Sequence, residues 1–82
     1  MSPAGSREAM AEAVDGRHPG TVQIVRYFAW SHLPERLQVV SQSAGLLALE
    51  MVGVLPDGPE LTAGLRKLLE AKDCFVRAAL DA

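Results

Sequence analysis

Cysteine occurs once, at Cys74, so the chain cannot close an intrachain disulfide or build a multi-cysteine zinc site, and it has no need of an oxidising compartment. Aromatic residues make up only 5% of a sequence that is 49% hydrophobic. The apolar bulk is therefore Ala, Val, Leu and Met, a mixture that favours helices over a β-sandwich. Positive charge is also scarce: 8 Lys and Arg against 10 Asp and Glu leave a net charge of −2, far from the basic balance of a duplex-DNA binder. No uninterrupted apolar run is long enough to cross a bilayer and the N-terminus lacks the plan of a signal peptide, so neither duplex nucleic acid nor a membrane is an expected partner. A cytoplasmic location follows as the expectation. His18 and His32 have no companion at metal-ligand spacing. Glycine-rich phosphate loops, Ser-His-Asp order and paired carboxylates in contrasting surroundings are missing, so no enzyme activity, metal or cofactor is expected.

What is present fills one small domain of 82 residues, and its punctuation divides it. Residues 1–20 hold three glycines and two prolines around a short Ala/Glu stretch from Ser6 to Val14. Two turns of helix with Ser6 as N-cap would be marginal in water, so a flexible arm is expected there. Residues 21–82 are expected to form an all-α unit, a short helix followed by a long antiparallel helical hairpin. The short helix runs from about Thr21 to Ser31. Pro34 restarts the chain, and Leu33, Leu37, Val40, Ala44, Leu47, Met51 and Val54 then recur at alternating spacings of 4 and 3, one seam of a helix of about twenty residues. Pro56-Asp57-Gly58-Pro59 stops it, and Asp57 with Glu60 has the form of a capping box for the helix that follows. That last helix, about Gly58 to Leu80, repeats the seam at Leu61, Leu65, Leu68, Phe75 and Ala79, with Lys72 where an apolar residue is expected.

Both long helices carry apolar residues off the seam, among them Val39, Leu46, Leu49, Val52 and Leu55 on the first, and Leu69, Val76 and Leu80 on the second. Two helices cover only one face of each other. At roughly 25 cal/mol per Å² of apolar area, leaving the surplus in water costs several kcal/mol. Chains this small usually need a staple, and without disulfide or metal the remaining one is self-association. A dimer or larger homo-oligomer is expected, with Gly45, Gly53 and Gly64 letting backbones approach.

Two clusters carry polar chemistry. Tyr27, Phe28 and Trp30 beside Arg26 hold three of the chain's four aromatic rings. Phe28 reads as a hydrophobic plug, while Tyr27 or Trp30 is expected to stay open as a stacking platform, because successive helix positions point about 100° apart. Base stacking on such a ring is worth about 1–3 kcal/mol. Arg66, Lys67, Lys72 and Arg77 punctuate the last helix with Glu70 and Asp73 between them. By spacing alone they are a solvated face with an Asp73 to Arg77 pair. Copies meeting at one interface would turn the same groups into a pocket for a phosphodiester. Cys74 reads as an ordinary half-buried helix residue.

The run YFAWSHLPERLQVVS, followed after the Asp-Gly-Pro-Glu turn by LTAGLRKLLEAKDCFVRAAL, resembles the hairpin domain of phage anti-CBASS and Thoeris anti-defence sponge proteins over roughly residues 22 to 80. The resemblance implies a hexamer of interlocked dimers that sequesters cyclic di- and trinucleotide immune messengers without degrading them. It places the stacking aromatic at Tyr27 and puts Gln42 where the family has a phosphate-contacting lysine. Gln42 still donates two hydrogen bonds but loses the charge that makes such bonds about twice as strong. Ser41 and Ser43 are the neighbours expected at that pocket. Arg66 and Arg77, with Lys67 and Thr62 as helpers, are the residues expected to line a second pocket near a symmetry axis, with Trp30 as the other candidate ring. The competing readings are a ligand-free oligomerisation or host-protein interaction module, in which Tyr27 and Trp30 are interface anchors, and a hydrolase of the same messengers, for which the chain offers no activated nucleophile.

Overall fold

The computed structural model describes residues 3–82 and is all-α: helices α1 (Arg7–Ala13), α2 (Pro19–Arg26), α3 (Glu35–Val54) and α4 (Pro59–Asp81), with no strand among the described residues. The most extensive helix–helix contact is between α3 and α4, which follow one another through four residues, and α2 packs on α1, α3 and α4.

Residues 3–20 are not the loose arm that their composition suggests. Ser6 Oγ accepts a hydrogen bond from the Ala9 amide at 3.0 Å and so caps α1. Seven helical residues do not persist alone. They are held by tertiary contacts, because Met10 and Val14, four apart on one face, are both buried in the core. The Gly5 carbonyl adds a tie, accepting from the backbone amides of Trp30 at 2.8 Å and Ser31 at 3.3 Å. Residues 1 and 2 of the expected arm lie outside the described residues.

The short helix starts two residues earlier than its composition predicts and stops five residues sooner. Pro19 supplies the first helical position, and His18 caps it, its Nδ1 accepting from the Gly20 amide at 3.0 Å. The end comes at Arg26, after which the Phe28 amide bonds the Val25 carbonyl and the Ala29 amide bonds the Arg26 carbonyl, both three residues back. Phe28, Ala29 and Trp30 thus leave the helical path and turn inward together, all three buried. Trp30 is 7% exposed and is no stacking platform. Its indole lies between two glycines. A Cβ on Gly5, which has φ of +79°, would fall within the indole ring system, and a Cβ on Gly45 would sit 2.7 Å from Cζ3. No larger residue fits either place without moving the indole.

That tryptophan also changes which face of α3 is inside. The buried stripe is Leu37, Ser41, Gly45, Ala48 and Val52, rotated from the expected seam of large residues. The indole on Gly45 and the Phe28 backbone behind it demand small side chains there. Leu47 and Val54 of the seam are exposed in consequence, as are Val39 and Leu46. On α4 only Leu61 and Leu65 are fully buried, with Leu68 and Leu69 partly so, while Phe75 and Leu80 are exposed. By length and composition α3 also qualifies as a membrane-crossing helix, with a mean hydropathy of 1.4 over its best window, although Gln38, Ser41, Gln42 and Ser43 interrupt the apolar run.

Asp57 does not cap α4, whose N-cap Gly58 has an extended backbone and no side-chain hydrogen bond. Its carboxylate is taken by the start of α2 instead. Oδ2 accepts from the His18 amide at 3.1 Å and from Arg17 Nε at 3.2 Å, and Oδ1 accepts from Thr21 Oγ1 at 3.0 Å. The Arg17 guanidinium holds the Asp57 carboxyl below its ordinary range, assisted by the His18 amide and the Thr21 hydroxyl and opposed by partial desolvation. The same guanidinium donates to the Val52 and Leu55 carbonyls at the end of α3, satisfying acceptors that a helix terminus leaves open. One arginine therefore joins the α1–α2 link to the α3–α4 link.

Candidate ligand-binding site

Of the aromatic cluster only Tyr27 faces solvent, 52% exposed at the C-cap of α2. Tyr27 lines a cleft of about 130 Å³ with Gln23 and Arg26 of α2 and Arg7 of α1. Neither arginine enters an ion pair among the described residues. Lys72 of α4 reaches across and donates from Nζ to the Tyr27 carbonyl at 3.0 Å, and it pairs with Asp73 at 3.4 Å. This explains the break in the α4 seam: an ammonium there meets the negative end of α2, where an apolar side chain would leave a carbonyl unpaired.

The other expected site residues lie outside this cleft. Gln42 and Ser43 are exposed on α3, on a face shared with Val39 and Leu46, and Ser43 Oγ donates to the Val39 carbonyl at 3.1 Å. Ser41 is corrected: it is fully buried, and its hydroxyl has no hydrogen-bond partner among the described residues, so it touches no ligand in this fold. Arg66 and Arg77 share one exposed face of α4 but are eleven residues apart, about 16 Å along the axis, too far for one phosphate between two outward-pointing side chains. Lys67 is exposed one position round from Arg66. Arg77 does not pair with Asp73; its Nη2 lies 3.3 Å from Cys74 Sγ. Thr62 lines a separate cleft with His18, Thr21 and Asp57.

Sequence reasoning missed Arg7 and Gln23. Gln23 was legible, being four residues from Tyr27 on the same helix face. Arg7 was not, because only the fold of α1 onto α2 brings it there.

A larger cleft of about 390 Å³ lies at the α3–α4 turn, walled by Met51, Leu55, Leu61, Leu65 and Leu68. Its polar rim includes Asp57 and Glu60, two carboxylates that repel a phosphodiester. No group of three or more His, Cys, Asp or Glu converges to hold a metal among the described residues. The cleft at Tyr27 combines an exposed aromatic residue with positive charge unpaired among the described residues, two features that suit single-stranded nucleotide ligands. No protein-family model matches this chain, and neither does any curated protein or solved structure.

Proposed function

We propose that this chain binds cyclic oligonucleotide messengers of bacterial immunity and sequesters them intact, which blocks CBASS- or Thoeris-type antiphage signalling in the cytoplasm of an infected cell. The observation that carries the reading is Tyr27, an open ring over a cleft bearing two arginines. A base stacks on the ring and the phosphodiester meets the guanidinium groups. The motifs YFAWSHLPERLQVVS and LRKLLEAKDCFVRAAL, which resemble the sponge family, narrow the ligand class to cyclic di- and trinucleotides.

In this reading α3 and α4 form an antiparallel hairpin, and copies assemble through the exposed stripe of Val39, Leu46, Leu47 and Val54 together with Phe75 and Leu80. The assembly is a hexamer, a trimer of dimers. Association brings Gln42 and Ser43, which share that α3 face, to the seam between copies, and it gathers Arg66, Lys67 and Arg77 from neighbouring chains into a second pocket for trinucleotides. The chain acts by binding alone.

The exposed stripe also favours a second reading, a ligand-free module that oligomerises or covers a host protein. Calorimetry with a panel of cyclic di- and trinucleotides, on the natural protein and on Tyr27→Ala, separates the two. The first reading expects heat with at least one ligand, lost in a variant whose assembly is intact. No heat with any ligand at tens of micromolar, or a broken assembly in the variant, favours the second.

A further inference from the structure

We infer that Arg7 and Arg26 act together as a clamp for one phosphodiester of a nucleotide stacked on Tyr27, supplying the positive charge that Gln42 lacks. The inference rests on the nucleotide-binding reading and extends it to a segment outside the stretch that carries the family resemblance.

Size is the first argument. A cleft of about 130 Å³ is well below the size of a site that encloses a whole small ligand and suits a group such as a phosphate. The base must lie on the open Tyr27 ring while the phosphate enters between the side chains. Charge is the second. Two guanidinium groups from different helices face one small cleft and neither is neutralised by a carboxylate among the described residues, so each offers a planar fork of donors suited to phosphate oxygens. The C-terminal end of α2 would by itself repel an anion, and the Lys72 ammonium on the Tyr27 carbonyl is itself paired with Asp73 at 3.4 Å, so the attraction for a phosphate comes from the two arginines. Room beyond the clamp is the third. Arg7 also lines a shallower cleft of about 390 Å³ with Ser6, Glu8, Ser31 and His32, within the size range of small-ligand sites; the Glu8 carboxylate there disfavours a second phosphate and suits that space to an uncharged base or ribose. A ligand held at Arg7 therefore has space on both sides, toward Tyr27 and toward His32.

The test is calorimetry on the full chain at low and high salt, with cyclic di-AMP, cyclic di-GMP and mixed cyclic GMP-AMP. The proteins are the natural chain, Tyr27→Ala, Arg7→Gln, Arg26→Gln, the double glutamine variant and Arg7→Lys, each checked for helical content. Each single glutamine substitution is expected to weaken binding by about tenfold or more, the double variant to lose both binding and most of its salt dependence, and Arg7→Lys to retain part. If the glutamine variants bind as tightly as the natural chain while Tyr27→Ala does not, the clamp is refuted and the nucleotide-binding reading stands. If the natural chain binds none of the three, the clamp is refuted, and the nucleotide-binding reading falls as well only if cyclic trinucleotides also give no heat. Should the double variant lose helical signal, Arg26→Gln alone decides, since that side chain is exposed and makes no hydrogen bond among the described residues.

Discussion

Replacing glycine by alanine at two points of α3 should raise stability at one and leave it unchanged or lower it at the other. In a helix interior the exchange gains about 1 kcal/mol from propensity alone. At Gly53, the next-to-last residue of α3, a Cβ meets nothing within 4 Å, so a part of that gain is kept with no steric cost. At Gly45 the new Cβ would lie 2.7 Å and 2.8 Å from ring carbons of Trp30 and 3.0 Å from the Phe28 carbonyl oxygen. Ordinary carbon contacts are about 3.5–4.0 Å, so the indole must retreat by most of an ångström. Gly5 also lies hard against the indole, at Cε2, Nε1 and Cδ2, and leaves it little room to shift. Overpacking of this kind costs about 1–3 kcal/mol, which cancels or exceeds the propensity gain. The two variants should differ by about 1–3 kcal/mol, and at about 4–8 °C per kcal/mol for a domain of this size the melting points should separate by several degrees or more. Thermal unfolding by far-UV circular dichroism, at equal and low protein concentration, measures it. A Gly45→Ala protein that melts as high as Gly53→Ala would show that Trp30 is not held between Gly5 and Gly45, and the account of the N-terminal segment would go with it.

Arg17→Ala should lower stability by about 1–3 kcal/mol in urea titration, since the Val52 and Leu55 carbonyls lose a charged donor; an unchanged midpoint would remove Arg17 as the tie between the two links. The Asp57 carboxyl is held low in the folded chain, so its contribution is present above the unfolded carboxyl value of about 3.9 and disappears as pH falls through the lower folded value. Acid titration of the natural protein should therefore show a loss of stability below about pH 4 that is smaller in Asp57→Asn, and equal losses would contradict the assignment. Ser41→Ala removes a buried hydroxyl with no partner among the described residues and should leave stability unchanged or raise it; a loss above about 1 kcal/mol would mean the hydroxyl is satisfied.

The two long helices were legible because Pro34 and the Pro56 to Pro59 turn bracket apolar repeats long enough to carry a period. The rotation of α3 was not. Periodicity ranks faces by the bulk of their own residues, whereas the buried face of α3 carries Ser41, Gly45 and Ala48, with a Trp30 indole from elsewhere in the chain seated on Gly45. Helix α1 escaped for a related reason: Ser6, Met10 and Val14 have helical spacing, but seven residues are stable only through the core they join. At Asp57 the local pattern had a plausible use as a cap, and three donors from the α2 end outcompeted it. The site divides likewise. Tyr27 was visible as a ring with no room inside, Trp30 was misplaced because the chain leaves the helix before it, and Arg7 enters only through tertiary folding.

The proposed function requires that copies of this chain associate through their exposed apolar stripes and hold an intact cyclic nucleotide at Tyr27. Native mass spectrometry of the protein incubated with the cyclic nucleotide panel reads copy number and bound mass together. The account predicts an even-numbered assembly, six chains by resemblance, that carries nucleotide of unaltered mass and loses it in Tyr27→Ala. Folded monomers with no bound nucleotide at any ligand would contradict it.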